Sequence, residues 1–540
     1  MKSVVFQLST FAVQLRKYIH DIMDQWIIAL GLLSILIVLL YKWSVAKYDT
    51  FSERGVAHEK PWPLIGNIPI KGMFGGIPVL KQMVEMNLKY SGSPVYGIYA
   101  LRDPVFFIRD PELIKLVGIR EFDHFANHHG MHNNMQESIL SKSLISLRDG
   151  RWREMRNILT PAFTGSKMRI MYNLIQSCSE EGVSHILELL ELSKDAAIDL
   201  EVKDYFTRFA NDVIATVAFG LTINSFRRKD NEFLRIGQSL SKISAWSVAK
   251  AVLHALFPRL MKLLRIQVMD TEKIDYFSRL VHVTMKYRQE HNVIRPDMIH
   301  LLLEAKQQRL ADLRNQSKDA QYYPEFTDED LLAQCLLFFF AGFEIISSSL
   351  CFLTHELCLN SAVQDKLYEE ILSVHQELNG QPLTYEKLTK MKYLDMVVLE
   401  SLRKWPPAIS TDRECSKDID LCDENGEKMF SARKGDVLQI PIFALHRDPE
   451  NYEDPESFDP ERFAEDQKVE SRLFLPFGVG PRNCIGNRMA LMEIKSIVYQ
   501  LVLNFKLLPA EKTSRDLLDD IRGHGLKPKD GFWLKFQARQ

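Results

Sequence analysis

Near the C-terminus the sequence reads Phe477-Gly-Val-Gly-Pro-Arg-Asn-Cys484-Ile-Gly486, and a helix-like apolar run from 487 to 502 follows directly. One cysteine stands among three glycines, a proline and an arginine. This composition predicts a tight loop whose main chain approaches another group closely. A helix that begins just past the loop points its N-terminal amides towards the sulfur, which favours the thiolate. A buried structural cysteine in a turn is the alternative interpretation.

A thiolate that receives backbone hydrogen bonds is the proximal ligand in one class of haem proteins. The spacing Phe-x-x-Gly-x-Arg-x-Cys-x-Gly resembles the haem-binding loop of the cytochrome P450 family, and this chain fills all five specified positions. The resemblance extends over about residues 61–540. It implies haem b as the cofactor and Cys484 as the axial ligand of its iron. The expected haem contacts in the loop are Phe477, Gly478, Arg482 and Gly486.

The resemblance also implies the fold class, which is mainly α with small β-sheets. We expect the cytochrome P450 fold as a single catalytic domain over residues 68–540. Length alone favours about three or four domains, but no linker that would separate two cores follows Pro61. The formal net charge of −2 argues against a nucleic-acid partner. The seven cysteines are scattered without a Cys-x-x-Cys pair, so they predict neither a disulfide framework nor a zinc site.

The N-terminal region predicts a transmembrane anchor. Residues 26–43 read WIIALGLLSILIVLLYKW, and as a helix they would span about 27 Å, near the thickness of an endoplasmic reticulum bilayer. A cleaved signal peptide and a buried soluble helix are the alternatives. Residues 1–25 form a leader of unknown role, and residues 44–67 form a linker with a proline-rich hinge. Basic residues after the span favour an endoplasmic reticulum protein with one span and a cytosolic catalytic domain.

Two donors on one helix face are expected to contact the haem. Trp152 and Arg156 have i, i+4 spacing, so their N–H groups point the same way. The Trp-x-x-x-Arg motif resembles a propionate-binding helix of the family, and its surroundings resemble the animal microsomal branch that includes insect detoxification enzymes. The same resemblance implies that Arg413 and Arg482 also bind propionates.

A histidine-rich loop precedes that helix. His124, His128 and His132 have i, i+4 spacing, so a metal site must be considered. Asp123 is the only carboxylate inside the loop, no cysteine is near, and Gly130 disfavours a rigid helix. These features argue against a metal site, and the resemblance implies that the loop forms part of the wall of the substrate pocket.

A long apolar helix is predicted from 327 to about 360, with acidic residues in its first turn. Its middle, Ala341-Gly342-Phe343-Glu344-Ile345, resembles the family's Ala-Gly-x-Glu/Asp-Thr motif, in which the small residues open the helix and the acid–alcohol pair relays protons. Here Ile345 replaces the alcohol and relays nothing. Ser347 lies about 200° further round the helix and does not simply substitute. Glu344 is therefore the expected relay group.

A buried ionic cluster is expected on the other side of the cofactor. Glu400 and Arg403 have i, i+3 spacing. A lone pair of this kind is usually solvated and worth under about 1 kcal/mol. The segment Pro460-Glu-Arg462-Phe463 resembles the one that supplies the family's partner arginine, so the resemblance implies a Glu–Arg–Arg cluster behind the haem.

The resemblance implies a monooxygenase that inserts one oxygen atom of O2 into a lipophilic molecule of xenobiotic, fatty-acid or terpenoid/steroid-like type. Electrons would come from NADPH through a flavoprotein reductase, and cytochrome b5 and membrane lipid are further expected partners. The absence of a hydroxyl at Ile345 leaves two alternatives open. One is a haem-thiolate isomerase or dehydratase of lipid peroxides that needs neither O2 nor a reductase. The other is a non-catalytic haem- or lipid-binding protein.

Overall fold

The computed structural model describes residues 2–67, 78–129, 139–228, 231–241, 244–266, 271–295, 297–315, 326–465, 473–521 and 526–539. Helices predominate in these residues and the strands are short, which agrees with the predicted mainly α fold class. The α-helices are α1 (Lys2–Val45), α2 (Thr50–Glu53), α3 (Val79–Lys89), α4 (Pro111–Lys115), α5 (Asp149–Leu159), α6 (Gly165–Ser193), α7 (Val202–Val217), α8 (Glu232–Ser241), α9 (Ala245–Leu256), α10 (Pro258–Leu263), α11 (Thr271–His291), α12 (Met298–Asn315), α13 (Asp328–Phe340), α14 (Ile346–Leu359), α15 (Ser361–Glu377), α16 (Tyr385–Lys390), α17 (Lys392–Lys404), α18 (Ile442–Leu445), α19 (Asn487–Asn504) and α20 (Leu517–Asp520).

The strands form small sheets. They are β1 (Ala57–His58), β2 (Val95–Ala100), β3 (Asp103–Ile108), β4 (Ala197–Glu201), β5 (Thr411–Glu414), β6 (Ile419–Cys422), β7 (Lys428–Ala432), β8 (Val437–Ile440), β9 (Phe505–Pro509) and β10 (Trp533–Ala538). In one sheet β10 is central and pairs antiparallel with β4 and β9. Strand β5 pairs antiparallel with β8, so that Arg413 lies opposite Leu438. Strands β6 and β7 form a hairpin.

The chain folds into two compact units, of which the smaller comprises residues 1–69 and 97–105. Its long helix α1 exposes apolar side chains throughout the segment predicted as an anchor; Ile28 is 63% exposed and Leu36 is 60% exposed. The segment Arg16–Glu53 is long and apolar enough to cross a membrane, and none of its most apolar window is buried. A helix that is apolar all round and unburied is typical of a membrane span.

The larger unit comprises residues 70–96 and 106–540, and a helix that runs through its core begins at a capping box. The Thr327 hydroxyl accepts a hydrogen bond from the Asp330 amide at 3.1 Å, and the Asp330 carboxylate accepts one from the Thr327 amide at 2.9 Å. Helix α13 follows, then a π-helical turn over Ala341–Ile345, and then α14. The segment Asp328–Leu359 is also apolar enough for a span, but 61% of its most apolar window is buried. It is therefore a core helix.

The cysteine loop is held at the N-terminus of another core helix. Ile497, Val498 and Leu501 of α19 are fully buried, and α19 packs against α6, α15 and α17. Because a close-packed helix moves little, the loop before Asn487 starts from a fixed point.

Candidate active site

The loop that precedes α19 depends on glycines with positive φ. Gly478 and Gly480 have φ values of 76° and 68°, which residues with a side chain rarely adopt. A Cβ atom on Gly480 would lie 1.8 Å from the carbonyl oxygen of Gly118, so the space also requires glycine. The Cys484 amide closes the loop by donating to the Phe477 carbonyl oxygen at 2.8 Å.

Cys484 is the one exposed cysteine among the seven, all of which the structure describes. Protein packed around the sulfur nevertheless raises the pKa of the thiol by desolvation, while a Gly486 backbone hydrogen bond and the Arg156 charge oppose this shift. The sequence predicted that backbone amides would lower this pKa, the effect of Arg156 was not predicted, and burial is the largest influence. A metal ion coordinated by the sulfur would favour the thiolate over the thiol.

Arg482 ties the cysteine loop to the chain before α5. Its guanidinium donates to the carbonyl oxygens of Ala126 and Leu147, each at 2.7 Å, and of Leu144 at 3.2 Å. The guanidinium carbon lies 4.2 Å from the ring centre of the buried Trp152, which is close enough for a cation–π contact. Trp152 therefore reaches this environment from α5, as its spacing predicts.

Arg156 and Arg413 approach the same loop from two other elements. Arg156 of α5 donates to the Asn483 carbonyl oxygen at 2.7 Å and to its side-chain oxygen at 2.8 Å. Arg413 of β5 donates to the Val479 carbonyl oxygen at 3.1 Å. The structure thus brings the predicted cofactor residues of α5, β5 and the cysteine loop together.

Three buried or half-buried cations, Arg156, Arg413 and Arg482, form no ion pair with a carboxylate within the described residues. Nε of the buried Arg413 also has no hydrogen-bond partner there. Desolvation lowers the pKa of Arg413 to about 10 and that of Arg482 to about 9. Buried charges are usually paired, so this environment fits a bound dianion. A group with two carboxylates and an iron that takes a sulfur ligand, which describes haem b, matches the residues present.

The histidine-rich loop does not assemble a metal centre in its described part. His128 Nδ1 lies 2.9 Å from Asp412 Oδ1, whereas His124 Nδ1 lies 3.4 Å from a Glu121 oxygen. Burial lowers the pKa of His128. No group of three or more metal-binding side chains occurs in the described part of the chain, and His132 lies outside it.

The π-helical turn places small and apolar residues in the middle of the core helix. A Cβ atom on Gly342 would lie 2.7 Å from Ile214 Cδ1, so the glycine allows α7 to pack against this turn. Its small size therefore has a packing reason, in addition to the helix opening that the motif implies for Ala341 and Gly342. Ile345 is 43% exposed, whereas the residues of α14 that follow it are buried.

Glu344 has a partner that the sequence analysis missed. Its Oε1 atom accepts a hydrogen bond from Lys203 Nζ of α7 at 2.8 Å. The two residues are 141 positions apart, and the sequence carries no local signal for the pair, because it depends on how α7 packs against the core helix.

The predicted ionic cluster is assembled. Glu400 and Arg403 have no exposed surface, and the guanidinium donates to the carboxylate at 2.7 and 2.8 Å. Arg462 Nε lies 3.6 Å from Glu400 Oε1, which also accepts the Asp459 amide at 3.0 Å. Desolvation raises the pKa of Glu400 and the arginines oppose the shift. The two arginines therefore offset part of the cost of desolvating the Glu400 carboxylate.

Comparisons with known proteins show which family the chain resembles. The family model described as Cytochrome P450 matches residues 56–535. The chain is 81% identical over 518 residues to the probable cytochrome P450 9h1 of Drosophila melanogaster, covering 96% of this chain and 100% of that relative. It is 49% identical to cytochrome P450 9c1 of the same species over 93% of this chain and 97% of that relative. Its identity to cytochrome P450 9e2 of Blattella germanica is 38%, over 95% and 98%.

These matches span nearly the whole chain, and they confirm both the family resemblance and the similarity to insect members. They also decide the enzyme class, since members of this family are haem-dependent oxidoreductases. The chain belongs to the cytochrome P450 family and is a haem monooxygenase.

Proposed function

We propose that the enzyme inserts one oxygen atom of O2 into a lipophilic xenobiotic, fatty acid or terpenoid/steroid-like compound. Electrons come from NADPH through a flavoprotein reductase, and cytochrome b5 is a second electron donor. One observation carries the proposal: the loop that holds Cys484 accepts hydrogen bonds from Arg156 and Arg413, which have no carboxylate partner in the described residues. Haem held by a cysteine sulfur supplies the chemistry that cleaves the O–O bond.

The chain's own residues bind and orient that cofactor in this proposal. Cys484 supplies the sulfur ligand, and Arg156, Arg413 and Arg482 donate to the propionates alongside the Trp152 indole. The remaining loop residues, Phe477, Gly478 and Gly486, allow the main chain to approach the ring. Glu400, Arg403 and Arg462 hold the segments behind the loop in place.

Membrane attachment accounts for access of lipophilic substrates. Helix α1 anchors the chain in the endoplasmic reticulum membrane, and the catalytic domain faces the cytosol. Exposed apolar side chains on α9 and α10 support a second contact with lipid, since Trp246 is 65% exposed and Leu263 is 78% exposed. Large apolar surfaces of this kind mark interaction sites.

The second candidate function is isomerisation or dehydration of a lipid peroxide. It is favoured by one observation, the exposed Ile345 where the family motif has a hydroxyl. Such reactions need no proton relay to O2. The ionisable Glu344 on the same turn, with its bonded partner Lys203, favours the monooxygenase.

Reconstitution of the purified full-length chain with a reductase tests the proposal against this alternative. We expect a lipophilic substrate to be converted only when NADPH, O2 and the reductase are all present. Conversion of a lipid hydroperoxide with none of them would favour the isomerase. The Cys484→Ser variant should purify without pigment, whereas the Cys422→Ser control should remain coloured. A variant at Cys484 with an unchanged spectrum contradicts the site itself.

A further inference from the structure

Lys203 is a nearly buried cation that contacts the helix of the proposed proton relay. It lies in the first turn of α7, and 14% of its side chain is exposed. Its Nζ atom is 2.8 Å from Glu344 Oε1, 2.8 Å from Ser347 Oγ and 2.9 Å from Ser348 Oγ. An ammonium group has three N–H donors, so each donor of Lys203 has one acceptor.

The two serines complete the network. The Ser348 hydroxyl donates to Glu344 Oε1 at 3.2 Å, and the Ser347 hydroxyl donates to the Phe343 carbonyl oxygen at 2.8 Å. Because Ser347 uses its proton on the main chain, its oxygen is available to accept from Lys203. The hydroxyls of α14 therefore hold the ammonium group, and the ammonium group holds the carboxylate.

One oxygen of Glu344 remains outside this network. Oε1 accepts from both Lys203 and Ser348, whereas no described residue donates to Oε2. The Glu344 side chain is 45% exposed, so water reaches it. A carboxylate fixed through one oxygen and open through the other is oriented for proton exchange at the open oxygen.

We propose that Lys203 is a positioning residue of the monooxygenase reaction. Together with Ser347 and Ser348, it fixes Oε1 of Glu344 and so keeps Oε2 turned to the water that exchanges protons with the site. Because Ile345 has no hydroxyl, Glu344 is the only group of the family's acid–alcohol pair that can exchange these protons. The inference rests on the proposed role of Glu344 as the relay group. It adds that this role needs a cation supplied by α7.

The test compares Lys203→Met and Lys203→Arg in the full-length chain with its reductase. Lys306→Met is the matched control, because Lys306 is 19% exposed and its partner Asp328, at 2.5 Å, is 52% exposed, which resembles the exposure of the Lys203–Glu344 pair. Two readouts are needed. One is the rate at which carbodiimide labels the Glu344 carboxylate, followed by mass spectrometry. The other is the hydrogen peroxide released per NADPH oxidised, together with kcat and KM for product formation.

Lys203→Met should increase both the labelling of Glu344 and the peroxide leak. We expect kcat to fall about tenfold with KM unchanged, because misplacing a catalytic group by about 1 Å can cost up to about 100-fold. Lys203→Arg should restore most of the loss, since it keeps the charge and several donors. Lys306→Met should change neither readout.

Three results distinguish this inference from the proposed function. If Lys203→Met increases labelling but leaves the leak unchanged, the contact is only structural and the inference is wrong. If Glu344→Gln couples as well as the wild type, Glu344 is not the relay, and the proposed role fails together with the inference. If Glu344→Gln leaks peroxide and Lys203→Met does not, only the inference fails.

A second variant covers the case in which Lys203→Met does not bind haem. Lys203→Gln keeps hydrogen-bond donors but has no charge, and the same outcomes are expected of it.

Discussion

Glu400 and Arg403 are two opposite charges with no access to water, joined by hydrogen bonds of 2.7 and 2.8 Å. Such a pair is not strongly stabilising overall, because desolvation costs much of what the attraction gains. The cost of removing one partner is large for the same reason. At the residue scale, the stability of this cluster therefore depends on keeping each buried charge paired.

The cluster gives a direct prediction. Glu400→Ala leaves Arg403 buried and unpaired, so we expect a loss of about 3–5 kcal/mol in the free energy of unfolding and no haem incorporation. Absorbance of the purified variant and its urea unfolding curve measure both effects. Glu461→Ala is the control, because the Lys366–Glu461 pair is about half exposed and should contribute under about 1 kcal/mol. A normal haem spectrum for Glu400→Ala would contradict the assignment.

Glu414 predicts that the stability of the fold depends on pH, because hydrogen bonds and an ion pair lower its pKa in the folded protein, whereas desolvation would raise it. A hydrogen bond from His129 and the ion pair with Arg148 lower its pKa to about 2. Because the folded pKa lies below that of the unfolded chain, about 4.3, the stabilisation is complete above that pH and is lost as the pH falls towards 2. We expect Glu414→Gln to be less stable than wild type by about 1–3 kcal/mol at pH 7. Urea unfolding at pH 7, 4 and 3 should show the difference shrinking, and a constant difference would contradict this origin.

At the element scale, local signals predicted where the core helix begins but not how it is shaped. Thr327 and Asp330 lie three residues apart, so the capping box could be predicted from sequence. The family motif implies that the helix opens at Ala341 and Gly342, but it predicts neither a π-helical turn nor the close contact of Gly342 with Ile214 of α7. The cysteine loop is similar. Its glycines predict a tight loop, but they do not predict the close approach of the Gly118 carbonyl oxygen that requires a glycine at position 480. Neighbouring residues determine the element, and distant ones determine its irregularities.

The π-helical turn is where a single hydroxyl should change the reaction. Ile345→Thr supplies the alcohol of the family motif at a 43% exposed position, and both residues are β-branched, so the helix should tolerate it. We expect less hydrogen peroxide and more product per NADPH oxidised, because proton delivery to the site improves. Ile345→Val is the control, since it matches threonine in shape but has no hydroxyl. Equal coupling in the two variants would show that protons reach the site without residue 345.

At the scale of the whole molecule, sequence likeness and composition carried most of the fold prediction. The residues predicted to bind the cofactor came from motifs within α5, β5 and the loop before α19, and the structure brings them together. Lys203 joins the site through a contact over 141 positions, which no motif records. The predicted cofactor motifs are short and local in sequence, whereas the contact between Lys203 and Glu344 depends on how α7 packs against the core helix.

The apolar segment of α1 should decide where the enzyme is held. Its side chains are exposed, with Leu33 51% and Leu36 60% exposed, and they lie in the segment expected to span the bilayer. The full chain and a chain lacking residues 1–25 should stay in the membrane pellet after alkaline carbonate, and a chain lacking 1–43 should be released. Leu33→Arg with Leu36→Arg should release it too, since each arginine costs about 2.5–3.5 kcal/mol at the centre of a span. External protease should digest the catalytic domain of intact microsomes if it faces the cytosol. Protection of the catalytic domain from the protease would reverse the orientation. Retention of the 44–540 chain in the pellet after carbonate would assign the membrane attachment to α9 and α10.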